Sequence, residues 1–113
     1  MHLESLNFAP GISGVRLFGR LDVAGAGEIE TQLLAATVAK GQPAVIDMTG
    51  VDFIASMGIG ALIAVSKGLA LRQCRLALYG PQPMVRVVLD NAGLGKVMSV
   101  CDTPEEALSR VRA

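Results

Sequence analysis

The stretch Val45-Ile-Asp-Met-Thr-Gly-Val-Asp-Phe-Ile-Ala-Ser-Met-Gly-Ile-Gly60 decides how this chain is read, because it carries a strand through a loop into a helix with Ser56 at the junction. Val45, Ile46 and Met48 form a short branched apolar run of the kind that pairs within a sheet. From Met57 onward the period changes: Ile59, Leu62, Ile63, Ser66 and Ala70 fall at helical spacing, which predicts a helix from about Met57 to Gln73 with one buried face. Ala55, Gly58 and Gly60 keep the backbone open around Ser56, and the first amides of a helix have no partner within it. Those amides and the partial positive charge of the helix start favour an anionic group such as a phosphate. Ser56 is therefore suited to carry a phosphate, which brings close to two negative charges and three acceptor oxygens. The plainer alternative is that Ser56 is an N-cap satisfying one of those amides. Spacing alone leaves both open.

Working outward, short apolar runs alternate with longer helical segments, the pattern of an α/β domain. Leu3 to Phe8 and Gly14 to Arg20 read as an antiparallel hairpin around Pro10 and Gly11, forming one edge of the sheet. A helix follows from about Ala26 to Ala39, with Ile29, Leu33 and Ala36 on one face and Gly41 as its stop. Strands are expected at Ala44 to Met48, Arg75 to Tyr79 and Val97 to Val100, and a further helix at about Met84 to Ala92. Thr103, Pro104 and Glu106 reproduce a helix start, with a hydroxyl cap, proline in the first position and a carboxylate three residues after the cap, ahead of a helix over Glu105 to Val111. The sum is one domain over residues 1–113, with a mixed sheet of about five strands and about four helices.

Composition narrows the function. The 113 residues are 51% hydrophobic, enough for a core without metal or disulfide staples. Ten basic residues balance ten acidic ones, so there is no broad positive field for nucleic acid or anionic lipid, and one tyrosine, three phenylalanines and no tryptophan offer few stacking platforms. Met1 to Pro10 has no basic region followed by an apolar one, and Ile54 to Val65 is too short to span a bilayer, so a cytoplasmic location without membrane insertion is expected. Cys74 and Cys101 lack CxxC spacing and read as small buried hydrophobes. His2, the sole histidine, lies at a terminus expected to fray, and no nucleophile, base and orienting acid stand in a recognisable arrangement. No cluster has metal-ligand spacing and no cofactor is expected. Gly58 and Gly60 lack the Lys-Ser or Lys-Thr of a phosphate-binding loop and are read as close-packing positions. Asp47 near a strand end raises the idea of a receiver-type aspartate, but the acidic pair such a site needs after the first strand is replaced by Ala9 and Pro10.

Asp47 to Gly58 resembles the signature of the STAS family, in which a strand and an apolar loop lead to a serine, one further residue and a glycine. Leu17-Phe-Gly-Arg-Leu-Asp22 is similar to that family's segment before the first helix, and Met84 to Leu94 to its segment ending in Gly-Leu, so the likeness spans essentially the whole chain. The resemblance, to the anti-sigma factor antagonist type, implies a bacterial binding switch and not an enzyme. Ser56 would be the phosphoacceptor of an anti-sigma serine kinase that is also the partner, and a serine phosphatase would reset the switch. It places Asp22 near the partner surface, together with Ile54, Ala55, Met57, Gly58 and Ile59 around the serine. The chain departs from the type at two places: Ala55 stands where an aspartate often precedes the acceptor, and Met57 where a second hydroxyl often follows. These changes make the expected docking surface more apolar. A second expectation is a STAS subunit of a stress-signalling assembly or of a lipid ABC transporter, in which Ser56 is only a contact or a cap.

Overall fold

In the computed structural model, which describes residues 1–112, strands β1 (His2–Ala9) and β2 (Ile12–Leu21) form the expected antiparallel hairpin at one edge of the sheet. Beyond them β3 (Ala44–Ile54), β4 (Leu76–Tyr79) and β5 (Ser99–Cys101) add in sequence order, each parallel to its neighbour. Four α-helices cover this mixed five-stranded sheet among the described residues: α1 (Val23–Ala36), α2 (Ser56–Ala70), α3 (Pro83–Asn91) and α4 (Pro104–Arg112). None of them is long and apolar enough to cross a membrane.

The alternation of side chains along each strand divides the core in two. Val15, Leu17, Leu21, Ile46 and Met48 point to the face covered by α1, α2 and α3, where they meet Ile29, Leu33, Leu62, Val65, Leu69 and Leu89. Val45, Ala77, Tyr79 and Cys101 point the other way, to Ala107 and Val111 of α4. Leu62 and Leu69 are fully buried, so truncating either to alanine removes about 2–5 kcal/mol. The α4 start forms as expected, with the Glu106 amide donating to Thr103 Oγ1 at 3.2 Å.

Several boundaries differ from the sequence reading, among them the end of α2, which stops at Ala70 instead of Gln73. Helix α1 begins at Val23, three residues before the expected start, because Asp22 caps it; it ends at Ala36, and Val38–Lys40 form a 3-10 turn closed by Gly41 in the left-handed region at φ +66°. Strand β3 runs on to Ile54, six residues past the expected end, by following β2 through two shifts of register. Strand β5 starts at Ser99 after a 3-10 turn over Leu94–Lys96. His2 is not frayed: it lies in β1 with its ring 5.8 Å from that of Phe18.

Candidate functional site

Parallel strands β2 and β3 end together, Leu21 opposite Ile54, and two helices begin at that rim. Asp22 closes β2 and starts α1, its carboxylate accepting from the Gly25 amide at 2.8 Å and from Arg20 Nε at 3.3 Å. The Gly25 amide, with Arg20 in support, holds the Asp22 carboxyl below its ordinary pKa. This carboxylate is thus a helix cap first, and only a third of its side chain remains exposed. A contact with a partner can use no more than that part.

At the end of β3 the backbone of Ala55 is extended, at φ −133° and ψ −178°, and Ala55 is the N-cap of α2. Its amide donates to the Leu21 carbonyl at 3.2 Å, and its own carbonyl accepts from Ile59 at 3.0 Å. Ser56 is consequently the first residue inside the helix, not its cap, and its hydroxyl makes no capping bond. The cap alternative for Ser56 is corrected here. The physical reason is that β3 stays paired with β2 as far as Ile54, leaving a single extended residue between strand and helix. Ser56 is exposed.

The residues expected around it divide by burial. Met57 is 55% exposed and Ala55 is half-buried, whereas Ile59 is half-buried against the main core. Ile54 and Gly58 are buried, and this corrects their expected place on the partner surface. Ile54 belongs to the main core, and Gly58 packs so closely on the Leu21 backbone that a Cβ there would fall inside contact distance of the Leu21 carbonyl oxygen and 2.6 Å from Leu21 Cγ. Glycine at 58 is what lets α2 start against the end of β2. Gly60 has no neighbour within 4 Å of a built Cβ, so close packing does not explain it.

Other elements supply the rest of the exposed surface. Phe53, the outward-facing residue before Ile54, is 38% exposed and lies under the Arg20 guanidinium, 4.1 Å from ring centroid to Cζ. A stacking cation at this distance is held by the ring quadrupole. Phe53, Asp52 and Ile54 line one side of a small apolar hollow of about 110 Å³, and Met84, Val85 and Val88 of α3 line the other. Met84 is 76% exposed. Arg20 and Phe53 were not singled out in the sequence; their only signal was the apolar run Phe53-Ile54 ahead of the serine.

Asp47, set aside as a receiver-type aspartate, sits on the opposite face of the sheet, buried in a filled hydrogen-bond network. It accepts from Thr49 Oγ1 at 2.6 Å, the Thr49 amide at 2.9 Å, Arg16 Nε at 2.9 Å and the Tyr79 hydroxyl at 2.9 Å. Burial pushes the Asp47 carboxyl up, but the bonds from Thr49, Arg16 and Tyr79 outweigh it and hold the group below the usual carboxylate range. Burial, and then Asp47, push the Tyr79 hydroxyl up to about 12. Such a carboxylate fastens β2, β3 and β4 together and has no coordination left for a metal. Among the described residues no three His, Cys, Asp or Glu side chains lie close enough to hold one.

The family model described as STAS domain matches residues 5–107. The chain belongs to the STAS domain family. A protein of Lysinibacillus sphaericus named anti-sigma F factor antagonist is 32% identical over 99 residues, covering 87% of this chain and 84% of that one. The crystal structure of an anti-sigma factor antagonist from Mycobacterium paratuberculosis superposes with a TM-score of 0.83 at 29% identity, over 99% of this chain and 96% of that one. The Bacillus cell fate determinant SpoIIAA in its phosphorylated form gives 0.70 at 27% identity, over 98% and 100% of the two chains. The mixed sheet and four helices are those of the STAS fold that the sequence motifs implied.

Proposed function

We propose that this STAS protein is an anti-sigma factor antagonist that docks through the rim around Ser56 onto an anti-sigma serine kinase in the cytoplasm and is released when Ser56 is phosphorylated. The observation that carries this reading is the Ser56 hydroxyl itself: exposed, not engaged as a cap, at the first position of α2, next in the chain to exposed Met57 and three residues after exposed Phe53, which shares a small apolar hollow with exposed Met84. A hydroxyl that only stabilised its own helix would be turned back onto the helix amides. The names of its relatives, anti-sigma factor antagonists in Lysinibacillus and Mycobacterium, point the same way.

In the transfer step the Ser56 oxygen attacks the γ-phosphorus of ATP, its proton passes to a base of the kinase, and ADP leaves. A serine phosphatase returns the hydroxyl by adding water across the phosphate ester and releasing inorganic phosphate. The chain contributes the acceptor and the docking surface and turns over no substrate of its own. The free amides at the start of α2 tolerate the new charge within this chain. At a docked apolar interface, by contrast, two added negative charges must be desolvated, and a penalty of about 3 kcal/mol lowers affinity by about a hundredfold.

The test is a pull-down from lysate of the source organism with wild type and Ser56→Asp, followed by incubation of the retained kinase with ATP and mass spectrometry of the chain. A serine kinase that is held by wild type, lost with Ser56→Asp and able to place phosphate on Ser56 is the expected result. Equal retention of the same proteins by both forms, as a transporter or stress-signalling subunit would give, overturns the switch.

A further inference from the structure

The two edges of the sheet are built differently. On one side β5 is only three residues long, and its Val100 carbonyl is taken by Arg86 Nη2 at 3.5 Å. So short a strand gives another chain little to pair with. On the other side β1 runs for eight residues, His2–Ala9, and pairs only with β2. Among the described residues no backbone hydrogen bond reaches β1 from any other element. A strand with one partner turns about half of its N–H and C=O groups away from it, so β1 presents a row of donors and acceptors outward.

Edge strands are ordinarily blunted by lysine, proline, an inward charge or a bulge. β1 contains no lysine, arginine or proline, and its one carboxylate, Glu4, lies 3.6 Å from Arg16 of its own chain. The break in register with β2 falls beyond Leu6, whereas His2 to Leu6 follow Phe18 to Gly14 without interruption. Apolar surface accompanies the open edge: Leu6 and Phe8 are half-buried over Gly14, on the face where α4 packs on β3, β4 and β5.

We propose that β1 is a dimerisation edge, at which two copies of this chain pair β1 to β1, antiparallel about a two-fold axis at Ser5, and join two five-stranded sheets into one. A chain whose ten basic residues balance ten acidic ones does not repel its own copy at long range. A two-fold axis sets the same surface against itself, and the alternation of side chains requires residues of the same face to oppose. Centring the pair on Glu4 would put two Glu4 carboxylates face to face, which is unfavourable. Centring it on Leu6 runs the pairing into the break in register, and centring it on Leu3 pairs only His2 to Glu4. With Ser5 at the axis, Glu4 meets Leu6 of the second copy and Ser5 meets its own counterpart. Each added backbone hydrogen bond replaces one to water and brings a modest net gain, so the dimer is a weak one, with a Kd of about 100 µM or somewhat tighter.

The experiment is sedimentation equilibrium of the full chain between about 10 µM and about 1 mM, on wild type, Ser5→Lys and Ser5→Glu. Ser5 is exposed, so both variants are expected to keep the fold, with unchanged thermal unfolding as the check. Wild type is expected to pass from monomer to dimer across that range. In each variant two like charges oppose one another with Cβ atoms about 5 Å apart, and association is expected to weaken at least about tenfold. An equimolar mixture of the two variants sets lysine against glutamate and is expected to restore the dimer, a rescue that only pairing at residue 5 produces. Wild type that stays monomeric at the top of the range overturns the inference and leaves the edge to a strand of another protein. A dimer equally strong in Ser5→Lys, or a mixture that associates no better than either variant alone, overturns it as well.

Discussion

Replacing Gly58 and Gly60 separately by alanine makes the same chemical change twice, two residues apart in α2, and the structure gives the two changes opposite signs. At Gly60 a Cβ meets nothing within 4 Å, so the variant gains only the helix preference of alanine over glycine, about 0.5–1 kcal/mol. At Gly58 the same gain is opposed by a collision with the Leu21 carbonyl oxygen, with Leu21 Cγ at 2.6 Å and with Ile54 Cγ1 at 3.1 Å. Leu21 is backbone-bonded and fully buried, so it cannot turn aside. Overpacking of this kind costs about 1–3 kcal/mol, with the upper end appropriate where the obstacle is backbone, and the net loss is about 2 kcal/mol. For a chain of 113 residues one kcal/mol moves Tm by about 4 °C, so Gly60→Ala should melt about 2–4 °C above wild type and Gly58→Ala about 8 °C below it. Thermal unfolding followed by circular dichroism reads both, with urea unfolding as the check that the m-value is unchanged. A Gly58→Ala variant as stable as wild type, or a shift of the same sign in both, would refute the close approach of α2 to the end of β2.

Tyr79 is the sole tyrosine, so phenolate absorbance reports it alone: its apparent pKa should lie near 12, and Asp47→Asn should bring it down toward 10. Because that pKa is raised in the folded chain, the stability it contributes is present below pH 10 and is lost as pH rises toward about 12. Asp47 acts in the opposite range, its depressed pKa contributing stability above about pH 4 that disappears as the carboxylate protonates on acidification; Asp47→Asn should cost about 1–3 kcal/mol in urea unfolding at pH 7. Ser56→Ala should leave Tm within about 2 °C of wild type, since no capping bond is lost, and Ser56→Asp should match or slightly exceed wild type by placing a carboxylate in the first helical turn. In native protein a disulfide reagent should modify half-buried Cys74 and spare Cys101, which is buried and has its pKa pushed up to about 11; denaturation should release the second thiol.

The order of strands and helices was legible because each element announces its period locally: branched apolar runs at 44–48 and 75–79, helical spacing from Ile59 to Ala70, and a cap, proline and carboxylate at residues 103–106. The boundaries that moved were set by partners far along the chain. Thr49, Gly50 and Asp52 read as a loop because they interrupt an apolar run, yet they remain strand because β2 offers them a parallel edge through two register shifts. Asp22 was placed near the partner surface by the family resemblance, whereas its spacing to Gly25 is also that of a cap bonded to the third amide of a helix. Within the site, Ser56 and Met57 were visible because small residues and a change of period mark the junction. Arg20 and Phe53 were not, because their contact joins β2 to β3 and has no spacing of its own in the sequence.

Leu21 accounts for why the serine faces outward. Its carbonyl accepts the Ala55 amide, which fixes Ala55 as the extended residue before α2 and moves Ser56 one place into the helix. The same carbonyl faces Gly58, so no side chain at 58 can lift the first turn away from β2. Immediately after Leu21, Asp22 caps α1, and the two helix starts share one rim of the sheet. A hydroxyl at the cap position would have been turned inward to bond the amides of its own helix. One residue later it is left for a reagent or partner from outside, and the amides it does not use remain available to a phosphate. The strand register thus decides whether this serine is a structural group or an exposed acceptor, and a one-residue deletion between Ile54 and Ser56 should bury the acceptor while leaving the sheet intact.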